Sequence, residues 1–433
     1  MRSPAVFLTG AGLVYLAAMV ALAIMRTPLG TPMYFWLEGV AAAAYLVALA
    51  HVWRLGDVRR GLFFSALAFA VLFRAPLAMT PVEPDNDMIR YLWDGRVQSL
   101  GINPYLVHPA DPELAWTHTP ETRQMPSARQ KTPYPPAAQL FFRLVVTAHD
   151  SARAMKLALV ACDLMTILVV WLWLRSIKRS EWLTLAYAWN PLVVIEVAYS
   201  GHIDALGALW IAAAAYWLAR RRTALATIAF VFAVATKILP VVLIPLLWRR
   251  ISRRDAVLGV ALLVLLYLPF SGGPQIALGG VTRVVEHIRF NGPIFQAMRA
   301  MFNPIIAGAT AVVLGLLAAA WCRWKLGDTQ PASWAWPMAI ALLCAPVVYP
   351  WYLLYMTPFL VTAGTLPLTA WTISVIPVYR VWQTSRGDGK WVVPWEILAL
   401  EFAVVFAVLA AVAWRRCRPL PRVRGRTDEV AGP

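Results

Sequence analysis

The sequence predicts an all-α, polytopic membrane protein with about 11–14 transmembrane helices. Three observations carry that expectation. Only 14% of the 433 residues are charged while 60% are hydrophobic, and the mean hydropathy is +0.62, whereas a soluble domain is about 25% charged. Apolar runs near the ~20 residues needed to cross a bilayer recur from end to end. The Lys and Arg residues gather in short clusters between those runs, as cytoplasmic loops do under the positive-inside rule.

The first run, Ala5 to Met25, exceeds a signal-peptide core and has no evident cleavage site, so it reads as a retained helix. Spans near 5–25, 33–53 and 61–80 put the N-terminus in the cytoplasm and lead outward at Pro81. The next cluster, at Arg175, follows a span near 153–174, so residues 81–151 form one long external loop. Later spans fall near 181–199, 203–219, 256–271, 302–322, 332–349, 351–379 (a hairpin) and 396–414. Between Thr223 and Trp248, basic clusters flank an apolar run on both sides. It is either a re-entrant pair of short helices turning near Lys237 and Pro240 or one kinked span. Residues 415–433 read as a basic cytoplasmic tail, and the whole chain, 1–433, as one membrane domain with both termini inside.

The net charge of +17 does not indicate nucleic acid, because it is spread over loops and no basic domain is present to form a binding face. Cys162, Cys322, Cys344 and Cys417 lie in apolar spans or at cytoplasmic ends, without zinc-like spacing, and read as packing residues. No phosphate-binding loop or dinucleotide fingerprint occurs, which argues against a nucleotide-driven pump.

Chemistry therefore concentrates in the external loop and at a few polar positions. On a helix beginning after Pro84, Asp87, Arg90, Tyr91 and Asp94 share one face, with Asp85 and Asp87 near its positive end. Carboxylates so placed suit a general base, a divalent metal or both; Asp85 and Asp87 are the metal candidates. The alternative is a solvated loop with a capped helix. "EVAYSGHIDALG" sets His202 and Asp204 at an outer turn, where a plain polar turn is the rival. Lys237 lies in an apolar run, where an unpaired charge costs about 2.5–3.5 kcal/mol, so a functional pairing is expected. Arg283, His287 and Arg289 are external cations suited to a lipid phosphate or to any anionic headgroup.

"RYLWDGRVQSLGINPY", "YPPAAQ", "WNPLVVIEVAYSGHIDALG", "TKILPVVLIP" and "YPWYLLYMTPFL", in that order, resemble the GT-C superfamily of integral-membrane glycosyltransferases. Within it the likeness is to bacterial polyprenol-phosphate-mannose-dependent mannosyltransferases and glycosyltransferase family 87, and it extends to about Phe359. The resemblance implies a multi-pass protein of the plasma (bacterial inner) membrane with an outward-facing active site. It further implies a polyprenyl-phosphate sugar donor, mannose foremost with glucose or arabinose fitting the same residues, and inversion at the anomeric carbon. An Asp of the first external loop would be essential. Asp87 matches best and Asp85 is its neighbour, although Asn86 separates acids that are often adjacent in the family. Arg90, Tyr91, Asp94, His202, Asp204, Lys237, Arg283, His287 and Arg289 are the expected substrate- or phosphate-binding residues. Membrane lipids and a glycan, lipid or protein acceptor are the expected partners, and the cofactor is left open between none and a divalent metal. A transporter or lipid flippase is the alternative, but it would show repeated halves, and no internal repeat occurs.

Overall fold

A computed structural model describes residues 4–56, 59–83, 86–271 and 288–417. Among these the regular structure is helical, with one isolated bridge between Phe290 and Val347. Three long helices come first: α1 (Pro4–Ile24), α2 (Pro32–Val52) and α3 (Arg60–Ala78). Thr31 caps α2, its hydroxyl accepting from Tyr34 N at 3.3 Å, and Pro32 occupies the first turn where its missing N–H costs nothing. The segment after α3 carries α4 (Met88–Ser99) and α5 (Pro136–Ala148), which pack on each other. The long α6 (Ala152–Ser176) follows, capped by Ser151.

The chain then shortens its helices: α7 (Thr184–Ala188), α8 (Pro191–Val194), a π-helical turn at Ile195–Ser200, α9 (Asp204–Ala219) and α10 (Thr223–Thr236). Beyond these lie α11 (Ile244–Leu247), α12 (Arg253–Tyr267), α13 (Pro293–Arg299), α14 (Pro304–Lys325), α15 (Pro331–Leu343), α16 (Leu366–Ser374), α17 (Arg380–Asp388) and α18 (Trp395–Cys417). One continuous apolar core joins α1–α10 to the C-terminal helices.

Among the described residues six helices are long and apolar enough to cross a membrane: α1, α2, α3, α6, α14 and α18. The protein is an all-α polytopic membrane protein. Several expected spans are broken instead. The stretch 181–199 is divided by Asn190-Pro191 and the π turn. The expected hairpin over 351–379 consists of 3₁₀ turns and the short α16, since Pro350, Pro358, Pro367 and Pro377 each interrupt the helical ladder. In 223–248, α10 ends at Thr236, Lys237 is extended (φ −159°), and a 3₁₀ turn at Leu239–Leu243 leads into α11.

One ion pair and one hydrogen-bonded carboxylate, both buried between helices, were not anticipated. Arg74 of α3 is bound to Asp163 of α6, which also accepts from the Tyr187 hydroxyl at 2.6 Å, while Arg74 Nη1 reaches the carbonyls of Ala70 and Ala188. Glu401 of α18 accepts from Trp371 Nε1 at 2.6 Å. Both clamp helices together by satisfying charges that lipid would not solvate.

Candidate active site

Asp87 stands immediately before α4, which starts at Met88, three residues later than a helix beginning after Pro84 would. Asn86 fixes this corner: its Oδ1 accepts from Met88 N (2.8 Å) and its Nδ2 donates to the Ser200 carbonyl (2.9 Å). The residue separating the two acids thus ties the start of α4 to the π turn. Gly201 completes the approach. It sits at φ +73°, a left-handed backbone that favours glycine, and a Cβ there would also displace the Met88 Cε that packs on it.

The turn Gly201–Ile203 delivers His202 and Asp204 to the same place. His202 is buried, lines one cleft with Asp87 and Ser200, and stacks on Trp351 with centroids 4.0 Å apart. Its Nδ1 lies 2.8 Å from a Glu196 carboxylate oxygen. Burial lowers its pKa to about 4, outweighing the pull of Asp87 and Asp204, so the ring is neutral at pH 7. Asp204, only 1% exposed, pairs with Lys237 Nζ at 2.5 Å. The same ammonium lies 3.5 Å from the centroid of Tyr352, a cation–π contact. The break between α10 and the following 3₁₀ turn is what turns Lys237 toward this pair.

Asp87 is half-buried and feels His202, Lys237 and Asp204 electrostatically. Burial pushes its pKa above the ordinary aspartate range; Lys237 opposes that rise and Asp204 adds to it. A carboxylate raised in this way, beside a cation, is suited to accept a proton.

Tyr91 supports the corner, its hydroxyl accepting from Ile203 N at 3.4 Å and its ring stacking on Phe142 at 4.5 Å. Arg90 and Asp94 do something else. They pair with each other at 2.7 Å, and Asp94 also accepts from Thr132 Oγ1 (2.6 Å) and Gln139 Nε2 (2.8 Å), while Arg90 Nη1 reaches the Gln130 carbonyl. With Asp94 0% exposed, the pair braces the loop from within and presents no free charge to a substrate. Of the groups expected on one helical face, Arg90, Tyr91 and Asp94 face packed protein. Arg289 contacts the Ile288 carbonyl and the Phe295 ring. Asp85, Arg283 and His287 lie outside the described residues.

Among the described residues no three His, Cys, Asp or Glu side chains converge as metal ligands. The aromatic residues of "YPWYLLY" were noted only as part of the resemblance, yet Trp351 lines the cleft and stacks on His202, Tyr349 stacks on Trp351, and the Tyr352 ring meets Lys237. A Cβ on Gly207 would fall 2.0 Å from the Tyr355 hydroxyl. Lys156 was missed altogether: its buried Nζ donates to the Thr80 carbonyl at 2.9 Å, holding the end of α3 against α6.

No curated protein and no solved structure matches the chain. Residues 6–252, which contain Asp87, His202, Asp204 and Lys237, match the family model described as "Alpha-(1->6)-mannopyranosyltransferase, N-terminal domain". That match covers more than half of the sequence, and the chain belongs to the alpha-(1->6)-mannopyranosyltransferase family, a family of membrane hexosyltransferases.

Proposed function

We propose that the protein transfers a mannosyl residue from a polyprenyl-phosphate donor to an acceptor hydroxyl on the external side of the membrane. The observation that carries this is the meeting of a half-buried Asp87, its pKa raised, with the Lys237–Asp204 pair contributed from far along the chain. Asp87 takes the acceptor's proton as its oxygen bonds to the anomeric carbon. The bond from that carbon to the phosphate oxygen breaks, and its electron pair leaves on the polyprenyl phosphate. Lys237 offsets the charge developing on the phosphate. A single displacement on a β-linked donor gives an α-linked product, and the family name supports the 6-hydroxyl as the acceptor oxygen. A donor activated in the membrane fits a chain without a nucleotide-binding motif. Family membership leaves the transporter alternative without an observation in its favour.

Asp87→Asn tests the base. Purified variant and wild type are incubated with polyprenyl-phosphate mannose and a mannoside acceptor, and released polyprenyl phosphate is measured. Turnover is expected to fall about 100- to 10,000-fold while the protein still folds; full activity removes Asp87 from this role. Sidedness is tested at Trp116, 66% exposed in the loop between α4 and α5. Trp116→Cys should react with an impermeant thiol reagent added from outside, and labelling from the cytoplasmic side alone reverses the topology.

A further inference from the structure

One buried acid near Asp87 takes no part in the proposed transfer. Glu196 lies in the π turn at Ile195–Ser200 and is 0% exposed. Apart from the His202 ring, neither of its carboxyl oxygens has a hydrogen-bonding neighbour among the described residues. The charged groups that act on it there are Asp87, Asp204 and Glu38, all of them acidic. An ionised Glu196 would be a buried anion among acids without a counter-ion. A carboxyl group so placed keeps its proton.

His202 is the acceptor for that proton. Its Nδ1 lies 2.8 Å from Glu196 Oε2, is buried, and meets no other polar partner. Two bare lone pairs at that distance would repel, so a hydrogen lies between them. The turn holds the contact in place: the His202 backbone N–H donates to the Glu196 carbonyl at 2.9 Å. Trp351 holds the ring plane, stacked at 4.0 Å and 8°. In a neutral imidazole one nitrogen donates and the other accepts, and the partner of one fixes the role of the other. When Glu196 donates to Nδ1, the ring's own hydrogen sits on Nε2, the nitrogen turned away from Glu196. His202 lines the same cleft as Asp87. An Nε2–H donor there steadies an ionised Asp87, whereas a bare Nε2 would compete for the proton that Asp87 has to take.

We propose that Glu196 is a positioning residue: a protonated acid that donates to Nδ1 of His202 and so presents a neutral Nε2–H donor to the cleft of Asp87. Its effect on transfer rests on Asp87 as the base of the proposed reaction, whereas the hydrogen arrangement itself does not.

Solid-state nitrogen NMR of the histidine-labelled full chain in lipid bilayers reads that arrangement without substrate, so its failure is distinct from failure of the transfer reaction. The chain has six histidines, and His202→Gln identifies the signals of His202. Wild type should carry one proton on this ring, at Nε2, with Nδ1 shifted as a hydrogen-bond acceptor. Infrared spectra should show a protonated-carboxyl band that Glu196→Gln removes. Glu196→Gln still offers an N–H to Nδ1 and should keep the acceptor shift, whereas Glu196→Ala should lose it. Transfer should fall about tenfold or more in Glu196→Ala and by less in Glu196→Gln. A proton on Nδ1, a doubly protonated ring, or a carboxyl band unchanged in Glu196→Gln would overturn the assignment, and so would a greater loss of transfer in Glu196→Gln than in Glu196→Ala. Should Glu196→Ala fail to fold, wild type and Glu196→Gln decide the question by themselves.

Discussion

Replacing Lys237 by Met separates what the Lys237–Asp204 pair does for the fold from what it does for chemistry. Asp204 is 1% exposed, and Lys237, at 2.5 Å, is its ion-pair partner. Removing the ammonium leaves a buried carboxylate without a counter-ion, a defect that costs about 3–5 kcal/mol. Asp87, which already interacts unfavourably with Asp204, adds to the strain. Converting Asp204 to Asn in the same chain removes the orphaned charge, and replacing a buried pair by neutral groups is often close to neutral for stability. The double variant should therefore melt near wild type while the single variant melts well below it. Cys322 and Cys344 are buried at 2% and 6% exposure, so a thiol-reactive fluorophore reports the unfolding directly. Transfer activity should follow a different order. In the proposed reaction Lys237 offsets the charge on the departing phosphate, and loss of such a group costs about 100- to 1,000-fold in rate. Both variants should show that loss. Recovery of full transfer in the double variant would refute the phosphate role, and a Lys237→Met protein as stable as wild type would refute the energetics.

Two further outcomes follow from the same geometry. In the proposed reaction Asp87 accepts a proton and must be ionised to do so; because burial raises its pKa, kcat/KM for the donor should rise with pH through a midpoint above the ordinary aspartate range and then level off. Lys237→Met removes a charge that holds this pKa down, so the acid limb of its residual activity should move to higher pH; an unmoved limb assigns the titration to another group. Asp94→Asn should act on the fold, because Arg90, 6% exposed, loses its carboxylate at a cost of about 3–5 kcal/mol. Limited trypsin digestion at the exposed Arg123 and Arg129 should accelerate in that variant, and wild-type resistance would show that the pair does not brace the loop.

How much of this was legible beforehand depends on the range of the signal. Helices α1, α2, α3, α6, α14 and α18 are unbroken apolar runs, so their positions follow from local composition to within a residue or a few. The segments near 181–200 and 350–379 have the same apolar composition, but their prolines and the π turn break them into short pieces. Composition averages over such breaks, and a long span was read where a series of turns exists. Asp87 and Lys237 were singled out because a charge in an oily context is locally conspicuous. Arg90 and Asp94 were equally conspicuous, yet their partners Thr132 and Gln139 lie some forty residues away, and no local pattern shows that the face they share is turned inward. Charge alone marks a position as costly; whether the cost is met by protein or left for a ligand is decided by tertiary neighbours.

That distinction also explains why the site's polar residues come from segments where regular helix fails. An unbroken transmembrane helix satisfies its own backbone and presents side chains to lipid or to packed neighbours, and charges that such helices carry here, as at Arg74, Asp163 and Glu401, are bound by protein groups. At Asn86-Asp87, at the π turn running into Gly201, and at Lys237, the ladder is interrupted and side chains are released toward one another. Asn86 bonds the Ser200 carbonyl, Tyr91 accepts from Ile203 N, and Gly201 allows Met88 to close on the turn. Each contact joins α4 to the π turn, so the position of Asp87 relative to His202 and Asp204 is set by backbone as well as by side-chain charge. The same breaks that made the spans hard to count in the sequence are what bring the base and the cation of the proposed transfer within electrostatic reach.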